Sequence, residues 1–373
     1  MNERQSNGVL VIPTLNPEPK FKDLAVEMAQ YFSDIIIVDD GSKDENKPVF
    51  AAIKEALGDK CHLLVHEVNQ GKGIGIKTAI AYYQNSGLVN EYLGIITADS
   101  DGQHEYADVV KLDEKLGEKH ERAMHIGHRD LNSEIMPPRS KIGNKTTAFL
   151  FNLLYGVKLK DTQTGLRAFS NDILDWLLNM KGARFEYEMN MLILSKDADV
   201  VIYETPITTK YEENHKSTYN TFRDSFRVAK VLFGGLGKFI FAALLASATD
   251  LGGFALLYYL LMPYIAPTML LATSLLISQV ASRALSSVVN FLVNRFITFG
   301  GKKISRKSIW KYYLLWTAQL GASYGIVLGF TVLLGGGEFW IKLITDLVLS
   351  LLSYQIQMRW VFKKKKVKNK TTK

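Results

Sequence analysis

Cysteine is nearly absent from this 373-residue chain, with Cys61 its sole representative. An internal disulfide is therefore excluded, and a reducing compartment is expected for the first half. The opening residues Met1-Asn-Glu-Arg-Gln-Ser-Asn7 lack an apolar core, so no cleavable signal is expected. Acidic residues are missing from two segments. One carries Lys302, Lys303, Arg306, Lys307 and Lys311, and the other runs from Lys363 to Lys373 with seven lysines. Together they exceed the formal net charge of +8, which leaves the rest of the chain net negative. Long apolar runs are missing from residues 1–220, where charges are spread throughout, and they crowd residues 239–362.

That crowded half contains four stretches long enough to cross about 30 Å of hydrocarbon, which takes roughly 20 residues. They are Phe239–Leu261, Met269–Val289, Tyr312–Leu334 and Trp340–Phe362. The connectors Met262-Pro-Tyr-Ile-Ala-Pro267 and Gly335-Gly-Gly-Glu338 have no Lys or Arg, whereas the middle loop and the tail are rich in both. The positive-inside rule then puts both termini and the middle loop in the cytoplasm of a multi-pass protein of the cell membrane. The basic runs are read as orientation signals and lipid contacts, not as a nucleic-acid site. Asp250, Arg283 and Asp346 fall inside these stretches. Asp250 lies roughly 16 Å from the cytoplasmic end of its helix and Arg283 about 9 Å from that side. A structural ion pair and a polar path for lipid headgroups are both open readings.

The first half alternates strand-like and helical segments. Val9–Pro13, Ile35–Asp39, His62–His66, Leu93–Ala98 and Ala123–Ile126 read as strands, with helices over Phe21–Tyr31 and Lys72–Gln84. That alternation predicts a mostly parallel, Rossmann-like sheet with helices on both faces. Motifs follow the strands in order: Pro13-Thr-Leu-Asn16, Asp39-Asp-Gly-Ser42, Asn69-Gln-Gly-Lys-Gly73 and Asp99-Ser-Asp-Gly-Gln103. Open α/β sheets bind ligands at the C-terminal ends of their strands. Asp99 and Asp101 offer two hard oxygen donors with room for phosphate oxygens, suited to Mg²⁺ or Mn²⁺. Each motif alone also reads as an ordinary turn or helix cap.

Residues 8–220 resemble the GT-A fold, family 2 glycosyltransferases of the polyprenyl-phosphate branch, which includes dolichol-phosphate mannose synthase and bactoprenol glucosyltransferase. The resemblance implies that Pro13, Thr14 and Asn16 line the nucleotide base pocket, that Asp40 contacts base or ribose, and that Lys72 lies close to the nucleotide-sugar. It implies that Asp99, Asp101 and Gln103 hold the metal and diphosphate. It also implies that Arg129 and Arg139, in Gly127-His-Arg-Asp130 and Met136-Pro-Pro-Arg139, grip the acceptor phosphate, a task that suits the guanidinium fork. Asp161-Thr-Gln-Thr-Gly-Leu-Arg-Ala-Phe169 resembles the acceptor-side loop and Phe185–Leu192 the helix after it. Glu186 and Glu188 stand there as active-site groups or as first-turn acids. Two positions depart from the pattern: Pro17 replaces the usual Glu after Asn16, with Glu18 next, and Gly143 replaces a Ser.

Val289-Asn-Phe-Leu-Val-Asn-Arg-Phe-Ile-Thr-Phe299 and Arg359-Trp-Val-Phe362 make the last 135 or so residues resemble the four-span GtrA-like membrane domain. The expected organisation is therefore a GT-A domain over 1–217, an amphipathic interfacial segment over 218–238, an all-α domain of four membrane helices over 239–362, and a basic tail over 363–373. In the second segment Phe222, Phe226, Ala229 and Phe233 recur at helical spacing beside Arg223, Arg227 and Lys230.

The implied reaction is inverting transfer of one sugar from a UDP- or GDP-linked donor to polyprenyl phosphate, for cell-envelope glycosylation. A phosphate monoester, with a second pKa near ~6, is already largely dianionic at neutral pH and needs no strong base. The resemblance also suggests a homo-oligomer, a tetramer being one form. Two alternatives remain open here. One is a lipid-sugar transporter with a docking GT-A domain. The other is a processive synthase, although Gln355-Ile-Gln-Met-Arg-Trp360 has the wrong spacing for that class and sits in the last apolar stretch.

Overall fold

The computed structural model describes residues 6–131, 136–208, 221–265, 268, 271–301, 303–334 and 338–362; a few helical side chains, those of Arg139 and Phe222 among them, lie outside the description. Two compact units result, Met1–Leu232 and Phe233–Lys373.

In the first unit the elements run β1 Gly8–Thr14, α1 Phe21–Met28, β2 Ile35–Asp39, α2 Lys47–Leu57, β3 Cys61–Val65, α3 Lys72–Asn85, β4 Gly94–Thr97, α4 Tyr106–Gly117 and β5 Ala123–Arg129. They continue with α5 Pro138–Tyr155, β6 Arg167–Ser170, α6 Leu174–Leu178, α7 Phe185–Ser195, β7 Val201–Ile207 and α8 Thr221–Leu232. One seven-stranded sheet forms in the order β3-β2-β1-β4-β6-β5-β7. β1, β2 and β4 read as continuous apolar runs because both their faces are covered, and every residue in them is buried. β1 pairs parallel with β2 and with β4, and β2 pairs parallel with β3. The ends that carry Thr14, Asp39 and Ala98 therefore share one edge.

The sheet is mixed. β6 runs antiparallel to both β4 and β5. Part of the run read as an acceptor-side loop, Arg167–Phe169, thus lies in β6, whose four residues are too few to show a period of two. β7 also lay outside the expected strands. It is an edge strand with Glu204 and Pro206 in it, and an edge tolerates proline where a central strand does not.

His125 on β5 is buried at 1 % exposure, and neither of its ring nitrogens has a hydrogen-bond partner. It stacks on Tyr203 at 5.0 Å and lies 5.7 Å from the ring of His120. Burial, followed by the neighbouring His120, pushes its pKa down to about 4. The folded protein holds this ring neutral while the unfolded chain protonates it near its ordinary value. Stability is therefore complete above about pH 6.5 and is lost as the pH falls toward 4, by about 3 kcal/mol in total. Thermal unfolding of His125→Phe should show a smaller drop in Tm between neutral and mildly acidic pH than the parent. An equal drop would assign the acid lability elsewhere.

The second unit is helical. α9 Gly234–Ala255 extends as a π-helical stretch over Leu256–Leu261 into α10 Met262–Ile265. α11 Leu271–Val293 ends in another over Asn294–Thr298, α12 spans Arg306–Leu334, and α13 Glu338–Ile356 ends in a third over Gln357–Val361. Among the described residues, Gly234–Leu261 and Arg306–Leu334 are long and apolar enough to cross a membrane. The Asp250 and Arg283 side chains do meet: Arg283 Nε lies 3.0 Å from Asp250 Oδ2, and Ser282 Oγ donates to Asp250 Oδ1 at 3.0 Å. Asp346 accepts from Ser323 Oγ at 2.8 Å. Phe291 and Phe299 from the Val289–Phe299 run cluster with Phe362, which contacts Phe291 at 5.6 Å and Phe299 at 5.1 Å. Arg295 donates to the Lys303 carbonyl beside it. The basic tail, the Ala266-Pro267 connector and Gly335–Gly337 fall outside the described residues.

Candidate active site

A cleft of about 1120 Å³ opens at the shared strand edge. It is lined by Pro13, Thr14, Asn16, Asp40, Lys72, Asp99, Asp101, Gln103 and Arg129, which brings together every expected site residue whose side chain is described. Arg139 lies on α5, but its side chain is outside the described set.

On the β1–β2 side the loops are clamped to each other. Asn16 takes a left-handed φ of 49°, donates its N–H to Ser42 Oγ at 2.8 Å, and accepts from the Lys43 N–H at 2.9 Å. Asp39 Oδ1 accepts from the Ser42 N–H, which closes the Asp-Asp-Gly-Ser turn. Pro17 and Glu18 line the same end, and Glu18 pairs with Lys20 at 3.3 Å.

Asp40 spends its carboxylate on the protein. It accepts from the N–H groups of Gln70 and Gly71 at 2.9 and 2.7 Å and meets His66 Nδ1 at 2.8 Å. The resemblance implied a contact with base or ribose; Asp40 lines the cleft and also anchors the turn before α3. Gly71 turns there with φ +103°, and a Cβ would strike Arg184 Cγ at 2.4 Å. This anchored turn makes Lys72 the first residue of α3.

Lys72 Nζ lies 2.6 Å from Asp99 Oδ1 and 2.9 Å from Glu188 Oε1. Burial by itself would lower its pKa, but the two carboxylates outweigh it and hold the ammonium protonated. For Asp99 burial acts to raise the pKa, and Lys72 with His104 reverses this, keeping the carboxyl ionised far below the usual range. His104 Nε2 is 3.4 Å from Asp99 Oδ2. Gly165 closes the other side, since a Cβ there would sit 2.4 Å from Asp99 Oδ2. Asp101 Oδ1 accepts from the Gln103 N–H at 3.0 Å.

Among the described residues no group of three or more His, Cys, Asp or Glu forms a ready-made metal site. The donor set of Asp99, Asp101 and Gln103 fits a hard divalent cation that takes most of its ligands from phosphate oxygens, as Mg²⁺ commonly does, and does not fit an all-protein cage.

Arg129, also in the cleft lining, forks onto Asp161, with Nε to Oδ2 at 2.6 Å and Nη2 to Oδ1 at 3.1 Å. Burial would raise the Asp161 pKa, but Arg129 more than compensates and lowers it. Asp161 is fully buried and the Arg129 side chain 14 % exposed, so the arginine is fixed from behind while lining the cleft. The two acids on α7 divide. Glu186 ties down the turn ahead of the helix, accepting from the N–H groups of Ala183 and Arg184 at 3.0 and 3.2 Å, while Glu188 enters the cleft and holds Lys72. His104, Thr162 and Arg184 also contribute to the site or its walls without having been singled out. The buried Arg167, which ties Thr164 O to Glu188 O at 3.0 Å each, supports it from behind. The signal available for them was their place beside a recognised motif, which does not tell wall residues from bystanders.

An open sheet with acidic and basic side chains gathered at its strand ends defines an α/β domain with a candidate ligand site at that edge, continuing in the chain into an apolar helical region. Residues 10–176 match the model of glycosyl transferase family 2, and residues 238–362 match that of the GtrA/DPMS transmembrane domain. An uncharacterized protein of Methanocaldococcus jannaschii is 30 % identical over 223 residues, covering 59 % of this chain and 88 % of its own length. The UDP-N-acetylglucosamine–dolichyl-phosphate N-acetylglucosaminyltransferase of Methanococcus voltae is 31 % identical over 222 residues, 55 % of this chain and 86 % of that one. A polyprenol monophosphomannose synthase of Mycolicibacterium smegmatis is 24 % identical over 234 residues, 60 % and 85 % of the two chains. The chain belongs to glycosyl transferase family 2 and is a membrane protein with a GtrA/DPMS transmembrane domain C-terminal to its catalytic domain.

Proposed function

We propose that this protein transfers a single sugar from a nucleotide-sugar to a polyprenyl phosphate, with inversion at the anomeric carbon, at the cytoplasmic face of the membrane. The observation that carries the reading is one cleft lined both by Asp99, Asp101 and Lys72 and by the fixed guanidinium of Arg129. Two relatives, one a dolichyl-phosphate N-acetylglucosaminyltransferase and the other a polyprenol monophosphomannose synthase, support the same class of acceptor. Four membrane spans, with both termini in the cytoplasm, agree with the basic middle loop and tail.

In this reaction the acceptor phosphate attacks the anomeric carbon as the bond to the nucleoside diphosphate breaks. The acceptor is already anionic, so the protein's task is to place two anions in line and neutralise the one that leaves. Arg129, with Arg139 as its partner, holds the acceptor phosphate. Lys72 lies beside the diphosphate and is kept protonated by Asp99 and Glu188. Asp99, Asp101 and Gln103 would hold Mg²⁺ or Mn²⁺, which when bound offsets charge on the departing diphosphate.

The test is incubation of the purified full chain with polyprenyl phosphate, Mg²⁺ or Mn²⁺, and a panel of UDP- and GDP-sugars. Lipid-linked monosaccharide is the expected product. Long polymer, or no product with any donor, would overturn the proposal. Gly165→Ala provides a finer check. The added methyl must push Asp99 aside, and a displacement of about 1 Å costs on the order of 10²-fold in rate. An unchanged kcat/KM would show that the position of Asp99 does not matter.

A further inference from the structure

Five basic side chains line the cleft, and four of them meet a carboxylate inside the protein. Lys20 lies 3.3 Å from Glu18, Lys43 3.5 Å from Glu45, Lys72 2.6 Å from Asp99 and Arg129 2.6 Å from Asp161. The fifth is Arg184. Among the described residues no carboxylate pairs with it, and the one hydrogen bond of its guanidinium is long, Nη2 to the Asn69 carbonyl at 3.5 Å. A guanidinium has five N–H donors and no acceptor, so most of this fork is unspent.

Arg184 belongs to none of the strand-end motifs. It sits in the turn between α6 and α7, and that turn is stitched to the start of α3. The Ala183 carbonyl accepts from the Ile74 N–H at 3.0 Å, and Lys77 Nζ donates to the Gly182 carbonyl at 3.2 Å. Glu186 Oε1 holds the N–H groups of Ala183 and Arg184 themselves. The arginine stem packs against Gly71, where a Cβ would come within 2.4 Å of its Cγ. Backbone and stem are thus fixed, and they deliver the guanidinium beside the turn that makes Lys72 the first residue of α3.

We propose that Arg184 is a further substrate-binding residue, whose guanidinium grips the diphosphate of the sugar donor next to Lys72. The proposal rests on the nucleotide-sugar reading above and adds a residue to it. The group it recognises is a phosphate oxyanion, to which a planar fork bonds bidentately. Two sources of that group enter the cleft in this reaction, the donor diphosphate and the acceptor phosphate. Position favours the first, because Arg184 touches the turn that carries Lys72, whereas the acceptor phosphate is assigned to Arg129. In the transfer, an acceptor phosphate oxygen bonds to the anomeric carbon while that carbon's bond to the diphosphate oxygen breaks. The bonding electron pair leaves on the diphosphate, and a cation with no carboxylate of its own offers its whole charge to offset it.

The experiment titrates the purified full chain with UDP, UMP, GDP and GMP in the presence of Mn²⁺, by calorimetry, for the parent, Arg184→Gln and Arg184→Lys. Arg184→Gln should weaken the diphosphate that binds by roughly tenfold or more, the scale of one lost charge-assisted contact, and the matching monophosphate by less than about threefold. Its Tm should hardly move, since no buried charge is stranded. Arg184→Lys keeps the charge but not the fork, so it should show the same selective loss to a smaller degree, and it serves where the glutamine variant does not fold. In turnover the donor KM should rise while the polyprenyl-phosphate KM stays unchanged. Equal losses for monophosphate and diphosphate, or undiminished diphosphate binding, would overturn the proposal. A raised acceptor KM beside an unchanged donor KM would overturn it too, by giving Arg184 to the acceptor. The calorimetry needs no acceptor, so it decides on Arg184 even where sugar transfer fails. A parent chain that binds none of the four nucleotides would overturn the donor reading and this assignment together.

Discussion

Asp99→Ala should abolish sugar transfer, lowering kcat by on the order of 10²–10³-fold or more, the scale seen when a preorganised charge-stabilising group is removed from an active site. Asp99 is one arm of the Asp99–Lys72–Glu188 array, and its carboxyl is held ionised against the cost of burial. Without it, Lys72 keeps only Glu188, and the cation site loses one of its two carboxylates. The side chain is 31 % exposed toward the cleft, so the loss should appear in rate and in metal dependence with little change in Tm. Excess chelator should mimic the substitution in the parent, and added Mn²⁺ or Mg²⁺ should restore the parent but not the variant. Full turnover in chelator, or a variant within tenfold of the parent, would remove Asp99 and the cation from the mechanism.

Arg129→Ala carries the second large effect, and here stability and activity are entangled. Asp161 is fully buried, and the Arg129 fork provides its charge compensation. Breaking a buried pair by removing one partner costs about 3–5 kcal/mol, since the remaining charge is left uncompensated. A marked drop in Tm is therefore expected, together with loss of transfer. Adding Asp161→Asn to Arg129→Ala should recover much of the Tm by removing the stranded charge, but transfer should stay low if the guanidinium also grips the acceptor phosphate. Recovery of both would make Arg129 a purely structural residue. Arg129→Ala with an unchanged Tm would contradict the burial argument itself.

Which residues meet in the site was legible to the extent that chemistry followed strand ends. Asn16, Asp40, Asp99 and Asp101 lie in loops after apolar strands, Pro13 sits near the end of β1 and Lys72 opens α3, and parallel pairing necessarily gathers these strand ends at one edge. How each side chain is used was less legible. Asp40 and Asp99 have similar local contexts. One accepts from the backbone of Gln70 and Gly71, while the other is held by Lys72 at the cleft. Glu186 and Glu188 are two residues apart on one helix, yet one ties down the turn ahead of it and the other reaches Lys72, because a helix turns about 100° per residue. β6 and β7 were hidden because a four-residue strand and a proline-bearing edge strand carry too little periodic signal.

The amino-acid sequence alone determined the division of the chain into an α/β half and an apolar half, the order of motifs along the sheet, and the presence of ionisable residues inside the apolar runs. These follow from local composition and spacing, which the chain carries wherever it folds. Only the tertiary structure decided that Arg129 is locked to Asp161, that Lys72 stands between Asp99 and Glu188, that Asp250 pairs with Arg283, and that Phe149 faces outward. Each of these depends on which distant side chains packing brings within about 3 Å, or keeps away, and no local pattern encodes that.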